Sequence, residues 1–302
     1  MICTTPTHHN NEAPAMTDTA TPERITQLGQ PALRLRTPSG AQAIVSLHGG
    51  QVLSWVPPAG EEQLYLSPQA VAAPGMAIRG GVPVIFPQFE LMGPDRSLPR
   101  HGLARTRLWQ LDAHQQGPDH AQATLVLRDD EETRALWPHG FLLEMTVAVS
   151  ADRLDMELYV ENTGDTSWPF AAALHTYLAV SELTHVRLQG LEGCEYQDRV
   201  VDGMAVEDHP EKRFHGEVDR IYAKANNLLL RDGPRRMLIE TAEMPDVVLW
   251  NPGPEKCAAL KDMPEDGWQR MLCVEAARIH KPVTLAPGES WTGRQSLVLQ
   301  AS

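Results

Sequence analysis

The feature that most constrains this chain is a run of apolar residues recurring at every second position. Phe141, Leu143, Met145, Val147 and Val149 alternate with other residues, and after the turn Ser150-Ala151-Asp152 the pattern resumes at Leu154, Met156, Leu158 and Val160, with Asp155, Glu157 and Tyr159 between them. Side chains of a β-strand point alternately to its two faces, so this spacing builds two half-buried strands joined as a hairpin. Shorter runs at 43–47, 123–127, 186–188, 237–240, 247–250 and 296–299 are separated by turn residues such as Asn162-Thr163-Gly164, Asp232-Gly233-Pro234 and Pro287-Gly288. No segment carries a sustained helical stripe. Many short strands at this spacing predict an all-β chain, an antiparallel sandwich or barrel, and 302 residues suffice for a large core in one such domain.

Residues 1–21 are rich in Thr, Pro, Asn and His without periodicity and read as a disordered tail, leaving 22–302 as a single domain. Met16 is an alternative start. His8 and His9 have no further ligand at useful spacing, and Cys3, Cys194, Cys257 and Cys273 are scattered without a C-x-x-C pair. Neither a metal site nor a disulfide framework is therefore expected, and reduced thiols suit a cytoplasmic protein. No run approaches the roughly 18 apolar residues of a membrane span, and the first residues lack the basic and apolar segments of a secretion signal.

The formal net charge of −13 argues against nucleic acid or an anionic membrane as partner. Any site for a small anion must then be a local concentration of positive charge. One such place runs from Arg79 to Arg107, where five arginines (Arg79, Arg96, Arg100, Arg105 and Arg107) face only Glu90 and Asp95. Arginine presents a planar fork of donors suited to carboxylate or phosphate oxygens, and the interspersed Gly and Pro residues fix bends that can gather separated arginines. A preformed anion pocket is one reading; solvated or individually paired arginines are the other. Gly49-Gly50 and Gly80-Gly81 read as turns or bulges, since they lack the strand-to-helix setting of a nucleotide loop.

Two further residues stand out against apolar surroundings. His175 lies in Ala171-Ala172-Ala173-Leu174-His175-Thr176-Tyr177, where a continuous strand would put it on one face with Ala173 and Tyr177. It is either a hydrogen-bonded core histidine or a proton donor working near neutral pH. Glu275 interrupts the apolar stretch Met271-Leu272-Cys273-Val274-Glu275-Ala276-Ala277. A carboxylate taken out of water is costly unless paired, so it is either a buried ion pair, for example with Arg278, or a general base with a raised pKa.

The block Ile78-Arg79-Gly80-Gly81-Val82-Pro83, Phe86-Pro87-Gln88-Phe89 and Pro99-Arg100-His101-Gly102-Leu103-Ala104-Arg105 resembles the hexose-6-phosphate mutarotases (glucose-6-phosphate 1-epimerases) of the aldose 1-epimerase superfamily. Six other stretches follow the same family's order: Ser46-Leu47-His48-Gly49-Gly50-Gln51-Val52, Ala173-Leu174-His175-Thr176-Tyr177, Gly190-Leu191-Glu192-Gly193, Asp219-Arg220-Ile221-Tyr222, Val248-Leu249-Trp250-Asn251-Pro252 and Cys273-Val274-Glu275. The resemblance implies a large twisted β-sandwich of the galactose mutarotase-like type, a cytoplasmic monomer without metal or other cofactor, and a small sugar phosphate as its partner. It assigns Glu275 as the base at the anomeric hydroxyl and His175 as the acid at the ring oxygen. Arg79, Arg100 and Arg105 take substrate and phosphate-binding positions, His101 a substrate-positioning one, and Asp219 a sugar-binding one, with a salt bridge to Arg220 as the alternative for Asp219. Arg96 and Arg107 have no counterpart and are expected in solvent. Among the seven tryptophans, Trp250 is placed near the site and most of the others in the core. Glu90 departs from the family's usual glycine, and a carboxylate there would repel a phosphate unless it points away. Two rival activities remain: an epimerase of unphosphorylated aldoses using the same acid and base, and a non-catalytic sugar-phosphate-binding protein.

Overall fold

The structure, a computed structural model, describes residues 21–58, 60–93, 97–225 and 227–301. The expected tail, with Cys3, His8, His9 and Met16, lies outside the described residues save for Thr21, as do Asp95 and Arg96. Three antiparallel sheets of four, eight and nine strands carry the described chain, which is the large antiparallel β-sandwich expected of the sequence. The hairpin read from the alternation is present: Phe141–Val149 pairs with Arg153–Asn162, from Val149 opposite Leu154 to Phe141 opposite Asn162. Among the described residues helix is limited to two short α-helices, Glu131–Leu136 and Gly253–Ala259, with three 3-10 turns. Neither helix is long enough to carry the sustained stripe that the sequence lacks, and no helix among the described residues is long and apolar enough to cross a membrane.

One continuous apolar cluster draws on all three sheets. Leu125, Leu143, Leu158 and Leu297 come from the nine-stranded sheet, Leu174, Leu249 and Val274 from the eight-stranded sheet, and Leu33, Val45 and Trp55 from the four-stranded sheet. The period-two rule then decides what the other face of the eight-stranded sheet holds. In Met271–Leu285, Leu272, Val274 and Ala276 enter the main core, so Cys273, Glu275 and Ala277 face the opposite way. In Asp246–Asn251, Val247 and Leu249 face the core and Val248 and Trp250 do not. Cross-strand pairing lines these outward residues up, with Asp219 opposite Trp250, Trp250 opposite Cys273, and Cys273 opposite Tyr177. A neighbouring row runs from Ile221 through Val248 to Glu275.

One local expectation is corrected. His175 is not inside a continuous strand: Trp168–Leu174 ends before it and Tyr177–Ala179 begins after it, both pairing with Met271–Leu285. At the break the His175 N–H donates to the Pro83 carbonyl, 3.0 Å away, so an adjacent chain segment replaces the sheet partner. The ring still faces the same way as Tyr177, and the two stack at 4.8 Å with an 8° interplanar angle.

Candidate active site

The outward face of the eight-stranded sheet forms the floor of a cavity of about 210 Å3, and the arginine-rich loops form its rim. Gly81, at φ +61°, crosses so close to the strand Gln51–Val56 that a Cβ would lie 2.1 Å from the Val52 carbonyl oxygen. Glycine is therefore required there. This crossing, with the Ser67 N–H donating to the Arg79 carbonyl at 3.1 Å, anchors the segment that carries Arg79 into the site. The Arg79 Nε donates to Asp262 Oδ2 at 3.2 Å, and one of its terminal nitrogens donates to the Tyr177 hydroxyl at 3.1 Å.

The second rim segment turns on His101 and Gly102, consecutive residues in the left-handed region at φ +67° and +71°. The Leu103 N–H donates to the Phe86 carbonyl at 2.8 Å, and a Cβ on Gly102 would lie 2.0 Å from that same oxygen. Gly102→Ala is therefore expected to cost more than about 2 kcal/mol of stability, read as a lowered melting temperature; an unchanged value would contradict this account of the turn. The turn sets His101 against Glu90: the Glu90 N–H donates to His101 Nδ1 at 3.2 Å, and the His101 N–H to the Glu90 carbonyl at 2.9 Å. A backbone amide can only donate, so Nδ1 is the acceptor and the ring proton sits on Nε2. Burial first, then the charges of Arg105, Arg100, Arg199 and Arg79, push the His101 pKa down to about 2. His101 is thus a neutral donor near neutral pH, suited to holding a substrate oxygen.

On the floor, His175 and Glu275 are buried, and His175 Nδ1 lies 3.4 Å from Glu275 Oε1 without a hydrogen bond between them. His175 Nδ1 and Glu275 Oε2 are both buried polar atoms lacking a hydrogen-bond partner. Orphaned polar atoms of this kind are costly in a folded interior, and both residues that carry them line the cavity. Burial, followed by the nearby charges of Asp219 and Glu90, raises the Glu275 carboxyl well above the usual carboxylate range. Burial, followed by His101, Arg105 and Arg79, lowers the His175 pKa. The ion pair with Arg278 is not formed: Arg278 Nε donates to the Lys281 carbonyl at 2.8 Å, and the ionisable group against Glu275 is His175.

The other residues expected at the site arrive with different surroundings. Arg105, Arg100 and Asp219 all line the cavity. Arg105 has no carboxylate partner among the described residues; a terminal nitrogen donates to the Arg100 carbonyl at 2.8 Å, and its Nε is buried and unpartnered. Arg100 is largely exposed and forms an ion pair with Glu90. Asp219 is not paired with Arg220, which instead bonds Asp198 at 2.8 Å; its nearest cation is Arg199, with Nε 4.0 Å from Oδ1. Burial raises the Asp219 pKa despite that charge. Trp250 lines the cavity as expected, edge-on to His175 at 6.1 Å. Arg107 pairs with Glu132 instead of standing free in solvent.

Sequence reasoning missed Arg199, which lines the cavity and donates to Glu90 Oε2 at 3.0 Å. It also expected Glu90 to be compatible with an anion only by pointing away. Glu90 instead lines the cavity, with Arg100 on one carboxylate oxygen and Arg199 on the other. Burial opposes its ionisation, but the hydrogen bonds from these two arginines outweigh that and hold its pKa below the usual range. The arrangement sets a buried histidine and carboxylate on the floor beneath a rim of four arginines, of which Arg105 has no carboxylate partner among the described residues.

Comparison with known proteins gives the chain's family. The family model described as Aldose 1-epimerase matches residues 31–298. A protein of Cenchrus ciliaris named "Putative glucose-6-phosphate 1-epimerase" is 37% identical over 298 residues, covering 90% of this chain and 89% of its own length. A protein of the same name from Escherichia coli (strain K12) is 35% identical over 242 residues, covering 78% and 79%. Among solved structures, a Salmonella typhimurium protein named "putative mutarotase" superposes with a TM-score of 0.85 at 29% identity, covering 92% of this chain and 93% of that one. By sequence along nearly all of its described length and by fold, this chain belongs to the aldose 1-epimerase family.

Proposed function

We propose that this epimerase interconverts the α and β anomers of a hexose 6-phosphate, glucose 6-phosphate foremost. The observation that carries the reading is the pairing of His175 and Glu275, 3.4 Å apart on the cavity floor, with the unanswered charge of Arg105 on the same cavity's rim. Two relatives covering more than three quarters of the chain carry the matching name. Glu275 as carboxylate takes the proton from the anomeric hydroxyl, while His175 as imidazolium gives its proton to the ring oxygen. The bond between C1 and the ring oxygen breaks, leaving an aldehyde. Rotation about the C1–C2 bond and closure on the other face return both protons. One proton shared by the pair serves the whole cycle, so the chemistry as written uses no metal or cofactor.

The pKa directions give this cycle a specific shape. A raised Glu275 and a lowered His175 favour the state with the proton on Glu275 and a neutral imidazole, which is the state that accompanies the open-chain aldehyde. The closed sugar needs the charge-separated pair, and Arg105 and Arg199 lower the cost of the carboxylate. Burial thus sets the cost of forming the reactive charge-separated pair, and the two arginines offset part of it.

The pH dependence follows. A second proton on the pair removes the base and loss of the shared proton removes the acid, so enzyme-dependent exchange is expected to be bell-shaped in pH, its two limbs belonging to the pair as a unit. Exchange measured at several pH values and corrected for the spontaneous reaction checks this. A rate that only rises with pH would contradict the acid role of His175.

An unphosphorylated aldose is the second reading, and Glu90 is the observation that favours it, since its carboxylate already answers two of the rim arginines. Arg105 is the counter-argument: beside its influence on Glu275 it has no ion-pair partner among the described residues, and a phosphate would supply one.

A further inference from the structure

We infer that Glu90 is a built-in occupant of the phosphate seat, holding Arg100 and Arg199 in the empty site and yielding them to a phosphate when one binds. This rests on the reading of the arginine rim as a phosphate seat and adds the residue that sets how strongly an anion must bind to take it. Each oxygen of the Glu90 carboxylate is engaged, Oε1 by Arg100 and Oε2 by Arg199 at 3.0 Å. Glu90 is Arg100's only carboxylate partner among the described residues, and Arg199's nearest other acid, Asp219, is at 4.0 Å. Carboxylate and phosphate oxygens ask for the same thing from a guanidinium, a planar pair of donors. The two cannot share the forks, because a carboxylate held ionised beside a phosphate is repelled by it.

Glu90 is placed for this part by its backbone. It stands at φ +54°, a conformation that an L-residue with a side chain adopts at some cost, and its N–H and carbonyl are both bound to His101. Its side chain is only partly exposed, at 15%. A strained, half-buried carboxylate aimed into a cavity between two cations is a poor arrangement for a surface residue. It is a good one for a gate that weak anions and neutral sugars do not open. Binding then releases the carboxylate from both arginines, and the cost of that release is subtracted from the affinity of every anion. Selectivity follows, since a dianionic phosphate that also meets Arg105 recovers the cost and a monoanion does not.

The test is calorimetric titration of inorganic phosphate into the full chain and into Glu90→Gln and Glu90→Gly, the glycine variant suiting the positive φ and so protecting against a folding defect. Removing the carboxylate is expected to tighten phosphate binding about tenfold, the scale of one like-charge contact, and to tighten acetate binding from undetectable to measurable. Phosphate binding unchanged or weakened in both variants, with phosphate bound by the parent chain, would overturn the gate while leaving the seat in place. No phosphate bound by any of the three chains would overturn the seat itself, and with it this inference. Because binding is read without turnover, neither result depends on whether anomers are exchanged. Weaker binding of glucose in the variants would assign Glu90 to the sugar hydroxyls instead and would also overturn the gate.

Discussion

Glu275→Gln is expected to lower enzyme-dependent anomer exchange by at least about a hundredfold while leaving the melting temperature at or above that of the parent chain. The amide keeps the volume of the carboxyl but cannot take a proton from the anomeric hydroxyl, and acid-base assistance of this kind is worth about 10² to 10⁴ in rate. The stability half of the prediction follows from the sign of the pKa shift. Burial raises the Glu275 pKa in the folded chain, so the folded chain holds that proton more tightly than the unfolded chain does. Its contribution to stability is fully present below the unfolded carboxylate range and is lost as pH rises toward the raised folded value. Glutamine does not titrate, so the variant's advantage should grow with pH across that window. Thermal melts of both proteins at several pH values, beside exchange rates, check both halves. An inactive variant that is also much less stable would make Glu275 a structural residue, and a variant with near-parental exchange would remove it from the mechanism.

Arg105→Gln is expected to be the most damaging change on the rim for a phosphorylated substrate. Arg100 is 63% exposed at its side chain and already paired with Glu90, and Arg79 is tied to Asp262 and Tyr177. Arg105 is less exposed, has no carboxylate partner among the described residues, and its buried Nε is unsatisfied. A charge-assisted hydrogen bond to a phosphate oxygen is worth about 1.5 to 3 kcal/mol, so KM for glucose 6-phosphate should rise between roughly tenfold and a hundredfold, with exchange of unphosphorylated glucose changed far less. Equal losses on both sugars would move Arg105 from phosphate recognition to shaping the floor, where it also neighbours Glu275.

The difference between these two predictions reflects what the sequence could and could not carry. The fold class was legible because the alternation at 141–149 and 154–160 is a local signal, and the observed register pairs those very runs. His175 and Glu275 were legible as anomalies, a titratable residue in each of two apolar stretches, and the sheet brings those stretches together through the pairing of Trp168–Leu174 and Tyr177–Ala179 with Met271–Leu285. The break at His175 was not legible, because it depends on the Pro83 carbonyl, 92 residues away, supplying the bond that a strand partner would have made. Arg199 left no local signal. It follows Glu195–Asp198 in an ordinary polar stretch, and only the pairing of that strand with Val218–Tyr222, together with the turn of the chain at Glu90, carries it to the cavity. The same long-range geometry turned Glu90 from an expected obstacle into a paired residue, since a residue's partner across more than a hundred positions is a property of the fold.

The measurement that bears most directly on the account is exchange between the α and β signals of glucose 6-phosphate at equilibrium, followed by NMR with the parent chain and then with Glu275→Gln, and repeated with glucose. The account predicts exchange well above the spontaneous rate for the phosphate ester with the parent chain, little for glucose, and the spontaneous rate alone with the variant. Folded parent chain that leaves the exchange of glucose 6-phosphate at its spontaneous rate would contradict it.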